Sequence, residues 1–198
     1  MCTFDCVDSV FDINKTVAAA AFVIKRCGGT ITAFLLMKML YAAERAALAS
    51  WHRPITGDSF SSMKNGPILS RTLDLINGKV LSTNSDMVKW SQHFSPRIGN
   101  DIKLVSEPDF DFLSQREVEV LEKAAREIAE LIKQHGLIAD FLHQAWPEWK
   151  DPKQFGKGSI PLPIEDVLSE VIEDENEAEK VLLEIRSVSS AKAALQTA

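Results

Sequence analysis

Between residues 36 and 45 the chain runs LMKMLYAAER, and this stretch, with the turn-rich 53–68 that follows it, constrains the fold more than any other. Leu36, Leu40, Ala43 and Ala47 fall at 4-3-4 spacing and make one apolar face of a helix. Met37, Tyr41, Glu44 and Leu48 make the adjacent face. Two neighbouring apolar faces need cover on two sides, so this helix is expected to be largely buried. Thr32 can cap its start, because its hydroxyl accepts from a free backbone N–H of the first turn. No Gly or Pro interrupts it, and Arg53-Pro54 stops it.

Beyond Pro54 the chain turns twice within a dozen residues. Gly57-Asp58 signals the first turn. Phe60, Ser62 and Lys64 then alternate with Ser61 and Met63, which suits a short strand. Asn65-Gly66-Pro67 is the second turn, with Gly66 free to take a positive φ and proline fixing the next φ.

Leu36, Lys38, Leu40, Tyr41, Ala43 and Arg45, then residues 53–58, then Phe60, Met63, Gly66 and Pro67, fall in order at the spacing of a known family. The passage resembles the SocA-like antitoxin, or Panacea, domain. Departures are mild: Glu44 for the family's usual Asp, His52 for Gly, and Ile68 for Val. The resemblance extends more weakly to the helix after Ser114 and to His143…Trp149, and covers roughly residues 10–165. It implies an antitoxin that neutralises a co-encoded toxin by direct protein–protein contact. Some members are implicated in handing the toxin to a AAA+ protease as adaptors, and that is the first alternative. A second is an autoregulatory DNA-binding protein. The motif and partner-binding positions the resemblance implies are Tyr41, Arg45, Arg53, Thr56, Asp58, Phe60, Met63, Gly66, Pro67, His143 and Trp149.

Composition sets the outer bounds. With 198 residues, 45% of them hydrophobic and 25% charged, the chain can bury a sizeable core without staples. No apolar run reaches the roughly 18 residues of a membrane span, and residues 1–10 carry Asp5 and Asp8 without a basic stretch, unlike a secretory signal. A cytoplasmic protein without membrane contact is the expectation. Cys2, Cys6 and Cys27 are odd in number and form no C-x-x-C pair, so free thiols are expected rather than a zinc site. The net charge of −6 is uneven. Residues 1–100 hold 11 basic and 7 acidic side chains, whereas 101–198 hold 11 and 21. Residues 165–179 hold eight acids and no base, which suits either a solvated helical surface or a basic protein partner. The longest basic stretch on a helix is Lys25-Arg26, too little for a nucleic-acid recognition helix.

In order, residues 1–10 read as a loose leader. Asp12 caps a helix over 13–27, closed by Gly28-Gly29. Residues 30–32 link it to the central helix. Short helices are expected over 70–76 and 85–94, the latter with Met87, Val88, Trp90, Ser91 and Phe94 as an apolar stripe. Residues 103–106 read as a second strand, expected to pair with the one over 60–64. After an extended linker over 107–113, Ser114…Glu117 is a capping box opening a helix to about residue 134. A short helix over 137–144, a loop through Trp146 to Trp149, and a turn-rich boundary over 157–163 come next. Helices over 164–172 and 173–188 complete the pattern, with residues 189–198 frayed. The expected fold is α+β, mainly α-helical, with a small antiparallel sheet of two or three strands. The expected domain is 11–165, with an acidic helical extension over 166–198.

The candidate chemistry is thin. Glu44 and Asp58 suit either acid–base work or structural pairing with Arg45 and Arg53, and Asp58 also suits a turn bonded to its own backbone. His52, His93, His135 and His143 share no metal-ligand spacing, and no nucleophile elbow, phosphate loop or dinucleotide fingerprint is present. No enzyme, cofactor or metal is expected. Gly66-Pro67 suits a hairpin exit or an anion site at a helix start. The Trp146…Trp149 loop suits a cover for the core or an aromatic anchor for a partner.

Overall fold

A computed structural model describes residues 10–136 and 145–196. The expected leader, the helix over 137–144 and His143 lie outside these residues, apart from Val10.

The helices form where their end signals put them. Asp12 accepts from the backbone of Asn14 and Lys15 and opens α1, Ile13–Arg26. Thr32 accepts from Leu35 N–H and opens α2, Ala33–Trp51. Next in the chain are the short helices α3 (Ser70–Ile76) and α4 (Ser85–His93). Both halves of the Ser114–Glu117 capping box are made, and α5 runs Gln115–His135. The last two are α6, Ile164–Val171, and α7, Glu175–Gln196.

The α1, α2 and α5 helices pack on one another and hold the core, with α4 against α1 and α6 against α2. Ala18 to Ala21 are wholly buried, so four small side chains admit a close neighbour on every side. As expected, α2 is buried along both apolar faces, and Lys38 and Glu44 are buried with it. Of the stripe expected on α4, only Trp90 and Phe94 are buried, in ring contact at 4.1 Å, while Val88 is exposed.

The strands depart from expectation. β2 (Phe60–Met63) and β3 (Gly66–Leu69) make the hairpin, with Gly66 at φ 102°. The second strand expected over 103–106 instead lies at Asp101–Lys103, β4, and pairs with Thr30–Thr32, β1, not with the hairpin. Gly28 and Gly29, both at positive φ, turn the chain out of α1 so that 30–32 runs extended. Buried Ile31 then faces buried Ile102. The far side of β2 is taken by β5, Ser159–Leu162, inside the stretch read as a boundary, giving the order β3-β2-β5. The frayed end expected over 189–198 is corrected as far as Gln196, and residues 197–198 lie outside the described residues. α7 continues to Gln196, with Ser189 buried and its hydroxyl donating to Ile185 O at 2.8 Å.

The turn after α2 is tight. His52 ends the helix at φ 62°, and Gly57 sits at φ 68° with its α-carbon against the chain at Val10. A Cβ on Gly57 would come within 2.3 Å of Val10 O. Gly78 has a similar φ, 64°, but nothing near the position of a Cβ. Gly78→Ala is therefore expected to lose about 1 kcal/mol to backbone strain alone. Gly57→Ala should lose about 2–4 kcal/mol, because backbone must also move. Urea midpoints at unchanged m-value give both figures. Equal losses would show that the chain at Val10 yields.

Candidate functional site

Five polar residues of 36–67, Lys38, Tyr41, Glu44, Arg45 and Asp58, are turned into the protein rather than toward a cleft. Those on α2 bond inward to the segments that cover it. Glu44, 1% exposed, lies near the C-terminal end of α2. It accepts from Ile55 N–H at 2.7 Å and Thr56 N–H at 2.8 Å, and from the Thr56 hydroxyl. Thr56 Oγ1 in turn accepts from Asp58 N–H at 3.2 Å. Asp58 accepts from the N–H groups of Arg71 (2.9 Å) and Thr72 (2.8 Å) and from the Thr72 hydroxyl (2.6 Å). It is thus the remote N-terminal cap of α3, which lacks one of its own.

One face of α2 carries Lys38, Tyr41 and Arg45, three and four residues apart. Tyr41 Oη and Arg45 Nε both donate to Glu148 Oε1, at 2.7 and 2.9 Å. Glu148 Oε2 is buried and has no hydrogen-bond partner among the described residues. The Tyr41 ring meets Phe60 and Trp146 edge-on, at 5.4 and 5.0 Å. Lys38 Nζ donates to Pro67 O at 2.7 Å and lies 5.5 and 5.9 Å from the ring centres of Phe34 and Trp146. Trp149 Nε1 donates to Met63 O at 2.8 Å. The 145–150 segment is therefore clamped between α2 and the hairpin.

Burial shifts these groups. Glu44 is pushed up to about 7 by loss of water, which the bonds from Thr56 and Ile55 offset only in part and the Asp58 charge reinforces. Burial likewise lowers Lys38 to about 7 and raises Asp58, where the Thr72 and Arg71 bonds oppose it. Tyr41 rises through burial and the adjoining Glu148 carboxylate. A carboxyl near 7 has the acidity of a general acid, but both Glu44 oxygens are engaged by the chain's own turn.

Several expected roles are corrected by this geometry. Glu44 pairs with backbone, not with Arg53. Asp58 caps α3 rather than its own turn. Arg45 meets Glu148, and Arg53 meets Glu184 at 2.5 Å. Tyr41, Thr56, Asp58, Phe60 and Pro67 are buried, Arg45, Met63 and Trp149 half-buried, and Arg53 is exposed. Gly66 opens β3 and is buried. Glu148 and Thr72 were missed as partners; the only signal for Glu148 was an acid between two tryptophans.

Above the turn a cavity of about 300 Å³ opens. Its floor is 51–57, and its walls include Lys15 of α1, Glu117 of α5, and Ile185, Val188 and Lys192 of α7. Lys15 Nζ donates to Glu117 Oε1 at 2.5 Å, and with the Ser114 bonds this holds Glu117 below the usual carboxylate range despite its burial. Among the described residues no group of His, Cys, Asp and Glu could hold a metal ion, and no helix is long and apolar enough to cross a membrane.

Folding links these pKa values to stability. Glu44 titrates higher in the fold than its ordinary 4.5, so its contribution is full below that value and is lost as pH rises through about 7. Lys38 titrates lower than its ordinary 10.5, so its contribution is full above that value and is lost as pH falls through about 7. Neutrality is where both contributions are lost together, so the fold is weakest there. Calorimetric melting between pH 5 and 9 should show a dip near 7. Glu44→Gln should flatten its acid limb and Lys38→Met its alkaline limb. Limbs unchanged in both variants would assign the dip elsewhere.

Residues 36–150 match the family described as antitoxin SocA-like, Panacea domain, which is more than half of the chain. No curated protein and no solved structure is matched.

Proposed function

The chain belongs to the SocA-like antitoxin family of Panacea domains, and on that premise we propose that it neutralises a co-encoded toxin by direct protein–protein contact. The family supports an antitoxin role in general and, with it, a toxin partner. The mode of neutralisation, the partner and a cytoplasmic setting are our reading.

One observation supports it best. Within the matched segment, Lys38, Tyr41, Glu44, Arg45 and Asp58 all bond to groups of the same chain. A segment whose polar side chains are committed inward presents a fixed shape. That suits occlusion of another protein, since a preorganised surface binds without first being ordered. Neutralisation would come from covering the toxin, with no bond made or broken.

Co-expression tests this directly. The product of a neighbouring gene should arrest growth when produced alone. Growth should return when this chain is produced with it, and the two should co-purify at equal stoichiometry. Harmless neighbours, or rescue without a complex, would remove the reading. Tyr41→Phe, which deletes one buried hydrogen bond, should cost about 1–2 kcal/mol of stability. It should leave rescue intact at a temperature where the variant is folded, because Tyr41 faces the core. Rescue lost at unchanged melting temperature would make Tyr41 a contact residue instead.

A further inference from the structure

We infer that the surface of the 51–57 turn is a docking groove for an acidic amphipathic helix of the partner protein, and that α7 is its built-in, displaceable occupant. The identity of that partner rests on the antitoxin reading; the groove does not.

α7 shows what chemistry fits. Val181, Ile185 and Ser189, four residues apart, are the buried positions of its stripe. Carboxylates flank the stripe. Glu184 reaches Arg53, and Glu177 Oε1 lies 3.9 Å from His52 Nε2. Both contacts face solvent, which screens them, so they add little to the hold on α7. The fit is also incomplete. The cavity of about 300 Å³ lies between α7 and the turn, and its lining forgoes the contacts that a filled seam would make. Past Ser189, residues 190–192 and 194–195 are exposed, Leu195 at 79%.

Neither side needs the other. The turn is fixed from beneath by Glu44, on Ile55 and Thr56. Residues 172–174 between α6 and α7 are not helical, while α6 keeps its own anchors in buried Val167 and Leu168 and in the Lys150–Asp166 pair at 2.6 Å. α7 also packs on α6, and Arg186 pairs with Glu165 across that joint, so α7 lifts by opening the α6–α7 joint and breaking that pair while α6 stays on α2. The uncovered surface would carry the Arg53 guanidinium beside Trp51, Pro54 and Ile55, a cation at the edge of an apolar floor, with Lys15 kept on Glu117. The turn lies inside the family match and α7 outside it.

The test uses the full chain and a labelled synthetic peptide of residues 175–196. Doubly substituted Val181→Ser, Ile185→Ser chain should exchange amide hydrogens rapidly in α7, with protection kept in α1, α2 and α5. The peptide should bind this variant at least about tenfold more tightly than wild type, whose groove is filled. Arg53→Glu, added to the variant, should weaken the peptide about fivefold, and Glu184→Arg in the peptide should recover most of that loss. Binding that ignores the Arg53 charge, no binding to a released variant, or loss of protection throughout the chain would each overturn the proposal. Failure of growth rescue with intact peptide binding would remove only the antitoxin reading.

Discussion

The structure hangs on the Glu44 carboxylate. It sits in the last two turns of α2 and receives two backbone N–H groups and a hydroxyl from the segment immediately beyond the helix. Ile55 and Thr56 are buried, so without Glu44 those N–H groups would be orphaned away from water. Fixing 55–56 then places two further helices. Asp12 N–H donates to Thr56 O at 2.8 Å, which sets the start of α1. Asp58, two residues on, caps α3. One side chain thus aligns the end of α2 with the beginnings of α1 and α3. The same geometry explains the need for glycine at 57, where the chain at Val10 passes within reach of a Cβ.

Lys38, Tyr41 and Arg45 do for the sheet what Glu44 does for the helices. Their contacts reach Pro67 in β3 and Glu148 in the 145–150 segment. Burying these charges is expensive, and a well-packed apolar face would serve stability as well or better. What the polar contacts add is register. Only one rotation of α2 offers an amine to Pro67 O while offering a phenol and a guanidinium to one carboxylate oxygen. A slipped helix would leave several buried charges unpaired at once, which strongly disfavours alternatives.

The sequence-readable parts of this fold are those whose signals are local. Asp12, Thr32 and Ser114 with Glu117 are caps within three residues of the groups they bond, so α1, α2 and α5 begin where their sequences indicate. The α2 periodicity likewise told of burial on two sides. β1, β4 and β5 were misread because three or four residues are too few to show alternation. Pro161 also reads as a breaker, although proline is tolerated on an edge strand. Ser189 looked like a helix end, yet its hydroxyl bonds back to Ile185 O and lets the helix pass. For the site, Tyr41, Arg45 and Asp58 stood out as motif positions, but their roles did not. Tyr41 and Glu148 are 107 residues apart in sequence, and nothing in the spacing of either names the other.

The uneven charge has a physical reading that composition alone did not reveal. Five cations of the first half meet anions of the second: Lys15 with Glu117, Lys25 with Glu107, Arg26 with Glu122, Arg45 with Glu148 and Arg53 with Glu184. Most of these pairs are exposed and individually weak. Their common direction still matters, because attraction between oppositely charged halves favours the second half folding back over the first. α5 lies on α1 and α2, the 145–150 segment on α2, and α7 over the 51–57 turn. The acids beyond this pairing are concentrated at Glu173, Asp174, Glu175 and Glu179, all exposed at the joint between α6 and α7. Like charges gathered there repel one another and resist tight closure of that joint, and salt within a Debye length of about 8–10 Å relaxes the repulsion. The electrostatics that hold the second half on the first therefore weaken toward its C-terminal helix, the element that also borders the cavity above the 51–57 turn.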